Sequence, residues 1–159
     1  MKLFADTQLD ELVTKAAASP RKRAHLTIHE SASDLVQRFF VVARRDSYFR
    51  PHAHLSKSEL AVVLRGRLDL VTFDEAGHLH ARHAVGEGTG QFAFEIDRGT
   101  WHTLVPLTDD CAFLEIKEGP YDPAVAVKFA AWAAPEGDSS VPRFQEWLRH
   151  AGIGSLYSA

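Results

Sequence analysis

The sequence predicts a mainly β, single-domain protein with a short helix near each end. Three observations carry that expectation. Short β-type runs follow one another at near-regular spacing from Val36 to Lys117, the pattern of a sandwich or barrel. Helical periodicity is confined to the two ends. The 159 residues, 45% of them hydrophobic, suit one domain whose core needs no staples. The expected parts are an N-terminal helix and connection over 1–34, a β-barrel over 35–120 and a C-terminal helical extension over 121–159.

Residues 7–18 place Leu9, Leu12, Val13 and Ala16 on one face of a helix. Thr7 with Asp10 resembles a capping box, and Pro20 ends the element. Residues 20–34 read as a polar connection. Strands are expected over 36–43, 47–52, 59–66, 67–73, 79–85, 92–96, 102–107 and 111–117. Turn signals at 74–77, 86–90, 97–99 and 108–110 separate the later ones. After a turn at 118–123, Ser140 and Pro142 open a second helix with Phe144, Trp147 and Leu148 on one face, and Gly152 stops it. The end helices are expected to cover the barrel or a subunit contact.

Composition excludes several classes. The net charge is −3 and no broad basic footprint exists, so nucleic acid is not the expected partner. The run Arg21-Lys22-Arg23 reads as a solvated turn. Cys111 is the single cysteine, so no intrachain disulfide forms, and its apolar run predicts a buried, inert thiol. No secretory signal opens the chain and no apolar run nears the ~18 residues of a membrane span, which makes the cytoplasm the expected compartment.

The chemistry starts at 50-RPHAHLSKSELAVVLRG-66. A strand alternates its side chains, so His52 and His54 share one face. Glu59 opens the next strand after a short connection that can return it beside them. Downstream, Gly99 permits a tight turn into the strand that carries His102. Three imidazoles and a carboxylate turned into a barrel suit a first-row divalent ion: Fe(II), or Mn, Ni, Cu, Co or Zn.

These spacings resemble the two cupin motifs, one from His52 to Gly66 and one from Gly90 to His102. The resemblance implies a cupin jelly-roll β-barrel with the metal ligands on His52, His54, Glu59 and His102. Asp46, Asp97 and Pro106 stand where that family usually has glycine, proline and asparagine, which touches turn geometry rather than ligation. The stretches 19-SPRKRAH-25, 36-VQRFF-40, 50-RPHAH-54, 62-VVLRG-66, 99-GTWHTLV-105 and 114-LEIKEGPYDP-123 are similar to the WbuC family of cupin-fold metalloproteins. That resemblance implies a link to bacterial O-antigen and surface-polysaccharide metabolism, with no assigned reaction.

Other histidines read more plainly. The segment 77-GHLHARH-83 suggests a solvated hairpin, His150 a helix C-terminal residue, and His25 and His29 loop residues near the barrel mouth. Trp101 is expected to pack beside its turn. Parity with His52 and His54 turns Tyr48 and Arg50 inward; parity with Glu59 turns Ala61 and Val63 inward. On 111–117, Glu115 and Lys117 share a face that is either a paired part of the pocket or solvent, and the resemblance favours the pocket.

Arg50 and Lys117 together favour an anionic or sugar-like small molecule as substrate. One expected function is a metal-dependent isomerase, epimerase or oxygenase using Tyr48, Glu115 or Lys117 as acid or base. A second is a non-catalytic, metal- and ligand-binding regulatory module. A third is a metal-independent sugar isomerase, for which no His–Tyr pair can be placed. A homodimer is the expected assembly.

Overall fold

The computed structural model describes residues 1–158. Helix α1 spans Asp6–Ala18, followed by β1 (Arg23–Thr27), β2 (Val36–Arg44), β3 (His52–Ala53), β4 (Glu59–Arg65), β5 (Arg67–Phe73) and β6 (Leu79–Gly86). Then come β7 (Ala93–Ile96), β8 (Trp101–Pro106), β9 (Asp110–Glu118), β10 (Lys128–Phe129) and α2 (Val141–His150).

The strands form two antiparallel five-stranded sheets, ordered β1-β2-β9-β4-β7 and β10-β3-β8-β5-β6. This is a mainly β jelly roll with a short helix near each end, as expected. No ladder joins the two sheets among the described residues, so the expected closed barrel is a pair of facing sheets. Between them lies one apolar cluster, with Leu68, Leu70, Leu104 and Phe113 at its centre. The outer faces are covered at both ends of the chain. The stripe Leu9, Leu12 and Ala16 of α1 packs on Phe40, Val42 and Ala112 of the first sheet. Phe144 and Leu148 of α2 pack with Val71, Phe73 and Val105 of the second. Burying apolar area on both sides of each sheet is what lets these strands read as long apolar runs.

Two glycines fix the turns that shape the site. Gly66 sits at φ +70°, and a Cβ there would fall 2.3 Å from the Asp110 carbonyl oxygen, so the β4–β5 turn requires glycine. Gly99 sits at φ +80°, and its N–H donates to the His54 carbonyl at 2.8 Å. That bond ties the turn before His102 to the strand that carries the other histidines.

Local expectations need correcting in several places. The N-cap of α1 is Ala5, not Thr7, and Gln8 Oε1 accepts from the Ala5 N–H at 2.7 Å. The connection over 20–34 contains β1, which pairs with β2 from Arg23 opposite Ala43 to Thr27 opposite Phe39. Residues 47–51 form no strand, because Pro51 has no N–H to give a ladder; only His52–Ala53 pair there. Between 121 and 140 the chain is irregular apart from β10. Ser140 flanks α2 but makes no side-chain cap bond to it, and Ala151 rather than Gly152 is the C-cap. Cys111 is fully buried, and burial pushes its thiol up to about 12, which keeps it protonated. Among the described residues no helix is long and apolar enough to cross a membrane.

Candidate metal centre

His52 lies on β3 directly opposite His102 on β8. His54 follows one residue after β3, and Glu59 is the first residue of β4. Each offers one ligating atom, and the four atoms lie within 4.8 Å of one another. Among the described residues this is the one such group of His, Cys, Asp and Glu. His54, Glu59 and His102 are buried, and His52 is partly so.

The orientation of the rings is fixed by backbone. His52 Nδ1 donates to the Arg50 carbonyl at 2.9 Å, His54 Nδ1 to the Ala126 carbonyl at 2.6 Å, and His102 Nδ1 to the Thr100 carbonyl at 2.9 Å. A carbonyl oxygen only accepts, so each Nδ1 carries a proton, and in the neutral ring Nε2 then keeps its lone pair. Burial and the neighbouring His102 push His52 down to about 3, and burial likewise lowers His102, so both stay neutral at ordinary pH. Neutral imidazoles braced through Nδ1 are the form that ligates a metal.

The carboxylate completes the donor set. Glu59 Oε2 lies 3.0 Å from His54 Nε2 and 3.1 Å from Lys117 Nζ, yet it is buried without a well-aligned hydrogen bond. Lys117 Nζ, also 3.3 Å from His54 Nε2, is the cation that stands beside these two atoms. Burial acts to raise Glu59, but Lys117 and the imidazoles outweigh it and hold the carboxyl below its ordinary range. It is therefore ionised. This donor chemistry fits a divalent transition metal.

Sheet register explains the charges around the cluster. Lys117 on β9 lies opposite Gln37 on one side and Glu59 on the other. One row further, Glu115 lies between Phe39 and Ala61. Glu115 and Lys117 therefore face the inside, which the sequence left open. Lys117 Nζ reaches Glu115 Oε1 at 2.8 Å and His54 Nε2 at 3.3 Å. Burial lowers an isolated ammonium, yet Glu115 and Glu59 together hold Lys117 above its ordinary value. Burial and the Glu59 charge raise Glu115.

A cavity of about 340 Å³ opens beside His52 and His54. Arg50, Glu115 and Lys117 line it, and so does His25. Tyr48 does not: its ring is buried against Phe144 behind the second sheet, and its hydroxyl donates to the Ala134 carbonyl at 2.8 Å. Inward parity fails at Tyr48 because 47–51 is not a strand. Arg50 keeps the inward place, stacked over Phe129 at 5.1 Å.

The remaining histidines lie elsewhere. His29 Nδ1 accepts from the Arg38 N–H at 3.0 Å and its ring packs edge-on to Phe39. His78 pairs with Asp74 at 2.9 Å, a carboxylate partner from the preceding turn that the strand-based reading did not count. His150 pairs with Glu146. Trp101 packs against Trp132. Residues missed by sequence reasoning include Gln37, Phe39, Phe49 and Phe129, all on the cavity wall. Gln37 and Phe39 had a signal, since they alternate on a strand; Phe129 had none, because its strand is two residues long.

Known proteins place the fold. The structure is similar to that of Protein SO0799 from Shewanella oneidensis, with TM-score 0.57 and 10% identity over 84% of this chain and 87% of that one. It is similar to oxalate oxidase in complex with the substrate analogue glycolate, with TM-score 0.55 and 16% identity over 84% and 69%. A Streptococcus pyogenes protein of unknown function, SPY1581, aligns at TM-score 0.50 and 10% identity over 65% and 80%. The shared fold is the cupin jelly roll. No curated protein matches the sequence. His52, His54 and Glu59 fall within the stretch matched by a family model, and His102 lies beyond it. That stretch is residues 4–85, its family is described as Domain of unknown function (DUF6016), and the chain belongs to it.

Proposed function

We propose that this cupin holds a divalent transition metal (Fe, Mn, Ni, Zn or Co) on His52, His54, Glu59 and His102, and uses it to bind a small anionic molecule in the adjoining cavity. The observation that carries the reading is the braced donor set: three Nδ1 atoms spent on carbonyls, leaving three Nε2 lone pairs and one carboxylate directed at a common point. A bound ion would supply Lewis acidity toward the anion.

The chain's own residues divide the remaining work. Lys117 is spent on two carboxylates, so the anion falls to Arg50. Glu115 sits on the cavity wall with a raised carboxyl, 2.8 Å from the Lys117 ammonium, and we assign it the acid–base role. Tyr48 has no such role, being bound to Ala134 behind the sheet. A proton-transferring side chain in the wall supports an enzyme over a purely regulatory binding module.

Elemental analysis tests the metal. Protein purified without chelator should carry close to one first-row divalent ion per chain, and His54→Ala should carry almost none. Equal metal content in the two proteins would defeat the assignment.

A further inference from the structure

We infer that the ligand of this cavity is a small carboxylic acid with an apolar or aromatic body, its acid group held by Arg50, and not a carbohydrate; the inference deepens the proposed anion-binding reading and rests on the same cavity.

The wall decides against a sugar. A sugar ring carries many hydroxyls, and each one buried without a partner weakens binding. No Ser, Thr or Asn side chain lines the cavity. Apart from His25 and the two metal-directed histidines, its uncharged hydrogen-bonding side chains are Gln37 and Tyr121. The amide nitrogen of Gln37 is already spent on the Asp34 carbonyl at 2.7 Å and the Ala32 carbonyl at 3.3 Å, which leaves its buried Oε1 as a single open acceptor, and Tyr121 is half exposed at the rim. What the wall offers instead is aromatic surface from Phe39, Phe49 and Phe129.

The charge points to an acid group. Arg21 and Arg23 also line the cavity, but Glu136 holds both, at 2.6 and 3.0 Å. Arg50 has no carboxylate within ion-pair distance among the described residues. Its Nη2 donates to the Ala130 carbonyl at 2.8 Å, while its Nε is buried without a partner. Stacking over Phe129 strips water from the guanidinium and leaves its remaining donors for a ligand. A planar fork with open donors matches the two oxygens of a carboxylate. Arg50 is bound to the metal cluster through its backbone, since its carbonyl accepts from His52 Nδ1. An acid group on Arg50 therefore places the rest of a small molecule between the aromatic rings and the metal-directed His52 and His54.

Calorimetric titration of the full chain tests this with three probes: mandelate, lactate (the same acid head without the ring) and glucuronate (an acid head on a polyhydroxylated body). Each is titrated into chelator-stripped protein and again after Zn(II) addition, with Zn(II) uptake recorded in the same series. Mandelate is expected to bind at least about tenfold tighter than lactate or glucuronate, the gain from burying a phenyl ring. Arg50→Lys should lose most of the affinity for mandelate while still unfolding in one cooperative transition, a few degrees lower at most. The exposed position of Phe129 makes Phe129→Ala a second folded variant, and it should bring mandelate down to the level of lactate. Glucuronate binding as tightly as mandelate, or no probe binding either form, overturns the ligand class. A protein that takes up no Zn(II) but keeps the Arg50-dependent preference for mandelate refutes the metal reading alone and leaves the ligand class standing.

Discussion

Lys117 Nζ lies 3.1 Å from Glu59 Oε2, so the carboxylate directed at the metal position already carries a lysine as its counter-ion. Register holds the pair together, because Lys117 and Glu59 are direct cross-strand neighbours on β9 and β4. The ammonium also lies 3.3 Å from His54 Nε2. A divalent ion entering the cluster must share Glu59 with this charge or displace it.

Replacing the charge should therefore help the metal. Lys117→Met is expected to tighten divalent-ion binding by about tenfold or more, a modest share of the Coulomb energy between charges a few ångström apart. Competition against a fluorescent chelator measures it. Weaker binding would mean that the lysine supports the metal site instead of competing with it.

Tyr48 is structural, and its loss should be felt in stability only. Tyr48→Phe leaves the Ala134 carbonyl without its donor, at a cost of about 1–2 kcal/mol. For a chain of this size that lowers the melting temperature by roughly 2–8 °C. Metal content should be unchanged. A variant with native melting but lost metal would return Tyr48 to the site.

Glu136 ties β1 to the C-terminal segment through Arg21 and Arg23. Burial acts to raise its carboxyl, but the two guanidiniums outweigh it and hold it below the ordinary range. A depressed folded value means that the stabilisation is complete above the ordinary carboxylate range and is lost as pH falls through the folded value. Melting of the wild type should therefore fall more steeply than that of Glu136→Gln on acidification from about pH 5 to about pH 3. Parallel curves would show that the cluster contributes nothing to acid stability.

Much of the site was legible because its residues obey strand rules. Alternation put His52 and His54 on one face, and the need of Gly99 for positive φ marked the turn into His102. Tyr48 was misplaced because parity was counted backwards across Pro51, where no ladder exists. The Glu115–Lys117 face could not be settled from one strand, since its meaning depends on which residues lie across from it. Pairing with Glu59 and Gln37 supplies that answer, and pairing is a property of the sheet. β1 escaped notice because the charge run Arg21-Lys22-Arg23 masks its start, although its five residues alternate polar and apolar groups as a half-buried strand does. Phe129 could not be found because a two-residue strand carries no period.

Thermal melting of chelator-stripped protein with Fe(II), Mn, Ni, Zn or Co tests the central claim most directly. An ion at 100 times its dissociation constant adds about 2.7 kcal/mol, which for this chain length raises melting by roughly 5–10 °C. The wild type and His80→Ala, altered in the outlying hairpin, should both show that rise, and His102→Ala should show none. An equal rise in His102→Ala, or no rise in the wild type with any of the five ions, would contradict a metal held between the two sheets.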